Sequence, residues 1–237
     1  MSGNKYLLLR LEGPMQSWGL QSWFDIRNTE TLPTKSGVVG LLSNALGIKR
    51  DERKAIAKLN KLKMAVLCSR EGQLLTDYQT VGAGYDKLPP KERALYQLRD
   101  AKGKKRVAIT KRYYLFDYRF KVVLWGNEET IERCKQALLN PAGILFLGRK
   151  ACLPSRPVFD KSLNTGNEVI SYFKEVLKKE AFEDKEKRIG SSKEILEECR
   201  VICETDSDGE VIQDVLEDFN ERKSNARKVT PELILDW

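Results

Sequence analysis

The chain has 237 residues, 41% hydrophobic and 32% charged, with a formal net charge of +8 and no histidine. That length supports one large domain, or one with a small appendage, and no apolar run approaches the ~20 residues of a membrane-spanning helix. The missing histidine excludes Ser-His-Asp and Cys-His triads, and with them RNA cleavage by an imidazole general base near neutral pH.

Met1 to Lys5 shows no signal-peptide cleavage pattern, so the expected location is the cytoplasm. Tyr6 to Leu11 has the length and apolar character of a buried strand, broken by Gly13-Pro14. Met15 to Ile26, with Trp18, Trp23 and Phe24, is irregular. Thr34 has the chemistry of a helix N-cap; the stripe Val38, Val39, Leu41, Leu42, Ala45 and Leu46 follows, with Gly47 in the place of a C-terminal stop. Asp51 to Lys61 predicts a short polar helix, and Leu62–Cys68 and Leu74–Val81 predict strands.

Residues 82–112 are rich in Gly, Pro and charge and carry few core-like positions. They predict a projecting arm. Tyr113 to Trp125 alternates well enough to predict one long strand, turned at Gly126-Asn127. Glu128 to Leu139 predicts a helix with acids in its first turn, stopped at Asn140-Pro141. Gly143 to Leu147 predicts another strand. Residues 168–200 read as charged helix. Val201–Glu204 and Glu210–Val215, around Asp206-Ser207-Asp208-Gly209, predict a small hairpin; Phe219 to Trp237 is ambiguous. The element order to residue 158 predicts an α+β fold, a ferredoxin-like βαββαβ domain over 1–158 with the arm inserted, followed by a small C-terminal region over 159–237. That fold hosts many functions and decides none.

Charge is distributed unevenly. Residues 1–160 hold 29 Lys+Arg against 15 Asp+Glu, whereas residues 161–237 hold 13 against 19. A basic body suggests a polyanionic partner; a lysine-rich solvated surface is the plainer alternative. The five cysteines, Cys68, Cys134, Cys152, Cys199 and Cys203, are odd in number and form no Cys-x-x-Cys pair, which predicts reduced thiols and no metal site. Paired carboxylates such as Glu128-Glu129 and Glu197-Glu198 sit in helical charge runs and read as solvated faces. No cofactor-binding motif is present: Gly-Val-Val-Gly-Leu-Leu lacks the ending of a phosphate-binding P-loop.

Three segments are candidates for nucleic-acid contact. The first is Pro33 to Gly40, where Lys35, Ser36 and Gly37 open a helix whose free N–H groups suit a phosphate, with Arg27 just upstream. An ordinary cap with close packing at Gly37 and Gly40 explains the same residues. The second is Gly148-Arg149-Lys150, where a glycine admits close backbone approach beside two cations. The third is the arm, with Lys104, Lys105, Arg106, Lys111 and Arg112, interleaved with Tyr85, Tyr96, Tyr113 and Tyr114 that could stack on bases. One of Tyr113 and Tyr114 is expected to face inward.

The run Leu9-Arg10-Leu11-Glu12-Gly13-Pro14-Met15-Gln16-Ser17-Trp18-Gly19 resembles the opening of the CasD-like subunits, the Cas-five family (RAMP superfamily) of type I-E CRISPR Cascade. Arg27 to Thr31, Pro33 to Gly37, Gly40 to Leu42 and Leu46 to Asp51 continue the likeness in order. Asp77-Tyr78-Gln79-Thr80-Val81 and Phe146 to Cys152, running on to Pro157, complete it. The resemblance covers residues 5–158. It implies a RAMP domain with a thumb-like arm and a small C-terminal domain, in a non-catalytic subunit that holds the 5′ handle of the crRNA. It further implies neighbours in antiviral defence: the backbone subunit CasC, the large subunit CasA, and target DNA in the assembled complex. In such systems a separate subunit, CasE, cuts the precursor RNA. A related Cas-five protein of type I-C is itself the endoribonuclease, and that role remains the alternative, as does a protein-interaction module whose charge only aids solubility.

Overall fold

Strand β1 (Lys5–Glu12) is apolar without alternation because both of its faces are covered. Leu7, Leu9 and Leu11 point to one hydrophobic core, and Leu8 points to a second on the opposite side of the sheet. In this computed structural model the described residues are 5–19, 22–23, 25–81, 98–99, 105–106, 108–187, 200–205, 210–218 and 223–233. After β1 come β2 (Met15–Gln16), β3 (Ser22–Trp23) and β4 (Ile26–Arg27), then helices α1 (Lys35–Ala45) and α2 (Arg53–Asn60). Strands β5 (Lys63–Arg70), β6 (Gln73–Val81), β7 (Leu98–Arg99), β8 (Lys105–Arg106), β9 (Ala108–Phe116) and β10 (Arg119–Gly126) follow. Helix α3 (Glu128–Leu139), β11 (Phe159–Leu163), α4 (Gly166–Lys187), β12 (Arg200–Thr205), β13 (Glu210–Asp218) and β14 (Lys223–Leu233) complete the order.

The main sheet has seven strands in the order β11-β1-β10-β5-β12-β14-β13, each antiparallel to its neighbours. Helices α1, α2 and α3 cover one face through Val38, Leu42, Ile56, Leu59, Ile131 and Leu138. Helix α4 covers the other through Val169, Phe173 and Leu177, the i, i+4, i+8 stripe of an amphipathic helix. Helix α1 starts where the sequence predicts: the Thr34 hydroxyl accepts from the Gly37 N–H, and Gly47 follows the helix at φ +70°.

A smaller sheet runs β2-β9-β4-β3, with β6 paired along the whole of β9. It exists because the expected strand Tyr113–Trp125 is two strands. Asp117, at φ +58°, turns the chain between β9 and β10 and sends them to different sheets.

Other expectations need correction. Gly143–Leu147 is not a strand. The edge beside β1 is taken by β11, while Leu147 is buried as a loop anchor whose N–H bonds the Cys152 carbonyl at 2.7 Å. The division expected at residues 158/159 falls inside the main sheet, since β11 pairs with β1 and β12 pairs with β5. Strands β12 and β13 do not form a hairpin with each other; β14 lies between them. Cys68, Cys134 and Cys152 are buried thiols outside any disulfide among the described residues, with burial pushing Cys134 up to about 11. Cys199 lies outside the described residues. Among those residues, no helix is long and apolar enough to cross a membrane.

The β11–α4 side is fastened by a charge network. Asp160 accepts from Arg10, from the Tyr172 hydroxyl and from Lys121 Nζ at 3.0 Å, and Glu12 lies 3.8 Å from the same ammonium. Burial alone would raise the Asp160 pKa. The bonds from Tyr172 and Lys121 and the charges of Lys121 and Arg10 outweigh it, so the carboxyl sits below its ordinary value. Tyr172 is held well above its usual range by burial and by the same carboxylate. Because the folded pKa of Asp160 is depressed, its contribution is complete well above the unfolded value of about 3.9 and is lost as pH falls through the lower, folded one. Urea unfolding at pH 7 and pH 3 should therefore show a smaller acid loss of stability in Asp160→Asn than in the wild type; equal losses would exclude this carboxylate as a source.

Candidate nucleic-acid interface

The segment Met15-Gln16-Ser17-Trp18 is where the segments carrying Gly37, Gly148 and Thr29 meet. The chain leaves the main sheet after β1, and β2 pairs with the end of β9. Gln16, fully buried, joins the two sheets: its Nε2 donates to the carbonyls of Leu11 (3.1 Å) and Tyr118 (2.8 Å), and its Oε1 accepts from the Trp18 indole at 3.2 Å. The Ser17 hydroxyl donates to the Tyr113 carbonyl at 3.3 Å. Trp18 is fully buried; its N–H donates to the Thr29 hydroxyl at 2.8 Å, and its carbonyl accepts from the Glu30 N–H at 2.8 Å.

Two glycines let the flanking segments close on this hub. A Cβ on Gly37 would lie 2.8 Å from the Trp18 ring, so the start of α1 sits directly against the indole. A Cβ on Gly148 would lie 1.7 Å from the Ser17 carbonyl oxygen, and Gly148 has φ +89° besides; Leu147 accepts from the Ser17 N–H at 3.1 Å. The helix start and the glycine loop thus pack on adjacent residues, as one continuous surface requires.

Arg149 closes the assembly from outside. Its guanidinium donates to the carbonyls of Arg27 (2.7 Å), Asn28 (3.0 Å) and Tyr113 (3.1 Å) and stacks 5.0 Å from the centre of the Tyr114 ring. It fills the place where β4 and β9 diverge. These two strands run parallel, with Ile26 opposite Lys111 and Arg27 opposite Arg112. Tyr114 is the buried member of the tyrosine pair and Tyr113 is half-buried.

The expected site residues therefore separate. Arg27 and Arg112, both half-buried, stand side by side, and the Arg112 Nε is buried with no hydrogen-bond partner among the described residues. Lys111 and Lys150 are exposed, and Ser36 is half-buried. Lys35 needs correction as a surface cation. It is 2% exposed, and its ammonium lies 2.8 and 2.6 Å from the two carboxylate oxygens of Glu204 on β12. The Met64 N–H also bonds Glu204 (3.2 Å), and Arg227 lies 4.0 Å away. Gly37 serves packing against Trp18, the plainer of the two explanations the sequence allows. Lys104, Tyr85 and Tyr96 lie outside the described residues. Lys105 and Arg106 form β8, paired with β7, and their side chains are likewise not described. Among the described residues no cluster of three or more Cys, Asp or Glu side chains forms a metal-binding group.

Sequence reasoning missed Gln16 and Trp18 as organisers and Glu204 as the partner of Lys35. The first two were visible only as members of a motif. The third lies 169 residues from its partner, and no local signal connects them.

Against known proteins, a family model described as CRISPR-associated protein (Cas_Cas5) matches residues 6–230. The CRISPR system Cascade subunit CasD of Escherichia coli (strain K12) is 35% identical over 160 residues, covering 65% of this chain and 69% of that one. A crystal structure of a Cas protein superimposes with a TM-score of 0.63 at 30% identity, over 97% of this chain and 94% of its own. A chain of a CRISPR RNA-guided surveillance complex gives a TM-score of 0.67 at 27% identity, over 96% and 89%.

Removing the partner of a buried ammonium leaves an uncompensated charge, which costs about 3–5 kcal/mol. Glu204→Ala should destabilise by that order in urea unfolding, and Lys35→Met combined with Glu204→Leu should recover most of the loss. A Glu204→Ala variant as stable as the wild type would remove the pair from this structural role.

Proposed function

The chain belongs to the Cas5 family of CRISPR-associated proteins, and from that premise we propose that it is the subunit of a type I-E Cascade surveillance complex that seats the 5′ handle of the crRNA without cutting it. The observation that carries this reading is the side-by-side placement of Arg27 and Arg112 next to the Ser17–Trp18 hub, with Lys150 exposed on the loop that Arg149 ties to Arg27. Arg27 and Arg112 stand side by side across parallel strands on one face of the small sheet, and Lys111, the next residue of β9, projects from the other face. Adjacent like charges are unfavourable unless an anion lies between them, and a phosphodiester supplies one. Asp77, opposite Arg112 on β6, offsets only part of that charge.

The strand order β11-β1-β10-β5, with α1 and α3 on one face, supports reading the main sheet as a ferredoxin-like RAMP domain, with the β6–β9 ribbon as the base of a thumb. The thumb would reach the guide and the backbone subunit through Lys104, Lys105 and Arg106. CasA and target DNA would meet the protein in the assembled complex, in the cytoplasm. Gly148 and Arg149 act by holding the seat together, with Lys150 presented beside them. A non-cutting role agrees with the chemistry available, since the chain has no imidazole to serve as a general base.

Replacing Arg27, Lys111, Arg112 and Lys150 by Ala should release the guide from the purified complex at moderate salt. It should also flatten the salt dependence by roughly 0.7 in log–log slope for each phosphate no longer held. Repeat RNA incubated with the wild type without metal should stay intact. A clean cut at one position would favour the endoribonuclease alternative, and a flat salt response would favour the protein-interaction module.

A further inference from the structure

The β6–β9 ribbon carries a feature that the cationic seat does not use. The motif Asp77-Tyr78-Gln79-Thr80-Val81 lies on β6, which pairs with β9 across its full nine residues. Its register places Tyr78 opposite Lys111, and β4 places Ile26 on the other side of the same lysine. Tyr78, Lys111 and Ile26 therefore form one row across three strands, on one face of the small sheet. Tyr78 is 57% exposed, an unusual waste of aromatic surface on a regular strand. Leu74 and Ile109, on the same face by their register, are exposed as well. Leu74 and Ile109 lie at opposite ends of the ribbon, so the exposed apolar surface at its centre is that of Tyr78 and Ile26 on either side of Lys111.

The charge of this face identifies the occupant. It is made by alternate residues of the two strands, Leu74 to Thr80 on β6 and Ile109 to Leu115 on β9, and none of these is a carboxylate. Asp77 is on the opposite face, its carboxylate accepting from Gln79 at 2.6 Å. While the Arg27–Arg112 row lies on the other face of the same strands, an exposed ring beside an exposed ammonium with no ion pair among the described residues combines a stacking plane with a phosphate contact. That is the pairing single-stranded nucleic acid requires.

We infer that Tyr78 is a base-stacking platform, on which one unpaired nucleobase of the guide lies while Lys111 holds an adjoining phosphate. This rests on the handle-binding reading above and extends it to a named base contact. Stacking needs the ring and not the hydroxyl, so Tyr78→Phe should behave as the wild type and Tyr78→Ala should not. Because the side chain is exposed, Tyr78→Ala should leave thermal unfolding unchanged.

The test uses the full-length chain and fluorescein-labelled RNA of the repeat-derived guide end, with abasic substitutions scanned along it, read by anisotropy. The expected result is roughly tenfold weaker binding for Tyr78→Ala and no weakening for Tyr78→Phe. One abasic position should weaken the wild type by a similar factor and leave Tyr78→Ala unaffected. Equal binding by wild type and Tyr78→Ala overturns the inference and leaves the cationic seat standing. Equal RNA binding together with loss of Tyr78→Ala from the purified complex overturns it in favour of a protein partner on this face. RNA binding absent from every variant, wild type included, overturns the handle-binding reading and this inference with it.

Discussion

A buried indole and its own backbone, closed on by two glycines at van der Waals distance, is the constraint on which the rest of this surface depends. Trp18 sits at the corner where the chain passes from the main sheet to the small one. Gly37 has no side chain to keep α1 off the ring, and Gly148 has none to keep the 147–150 loop off the Ser17–Trp18 backbone. Gln16 satisfies the polar atoms that this corner would otherwise bury unpaired: the indole N–H and two strand-end carbonyls. Packing and hydrogen bonding thus fix where Arg27, Arg112 and Lys150 stand relative to one another, although none of these cations touches the indole.

Much of the basic excess of the first 160 residues is spent inside the molecule. Lys35 is neutralised by Glu204, Arg119 by Glu180 at 2.9 Å, and Arg10 and Lys121 by Asp160. Arg149 gives its hydrogen bonds to three backbone carbonyls. Glu180 and Glu204 come from the acidic end of the chain, which is thus partly the internal counter-charge of the basic body; Asp160 belongs to that body itself. What is left for a polyanion is a smaller and more localised set of cations than the composition suggests. A localised set carries positional information, because phosphate contacts fix where a strand lies.

The two sheets divide the labour. The seven-stranded sheet is covered by helices on both faces and makes a rigid support. The β6–β9 ribbon leaves that support at Asp117 and exposes both apolar and charged side chains. Functional groups on a strand pair anchored in a packed core are held more firmly than groups on a free loop, which suits a site that must hold one RNA end in one register.

The sequence alone determined the helix at Thr34–Gly47, the helix at Glu128–Leu139, the buried first strand and the absence of imidazole chemistry. These depend on local patterns: a cap, a stop, a period, a residue type. It also singled out Arg27, Gly148 and Arg149, which the fold brings against one another, with the Arg149 guanidinium spent on backbone carbonyls. Only the tertiary structure decided which cations are free. The pairing of Lys35 with Glu204, the break of the Tyr113–Trp125 run between two sheets and the displacement of Gly143–Leu147 by β11 all depend on contacts between segments far apart in the chain. Periodicity records how buried a residue will be and says nothing about which distant strand will bury it. A lysine in a sequence is likewise a charge whose partner is fixed only when the chain closes around it.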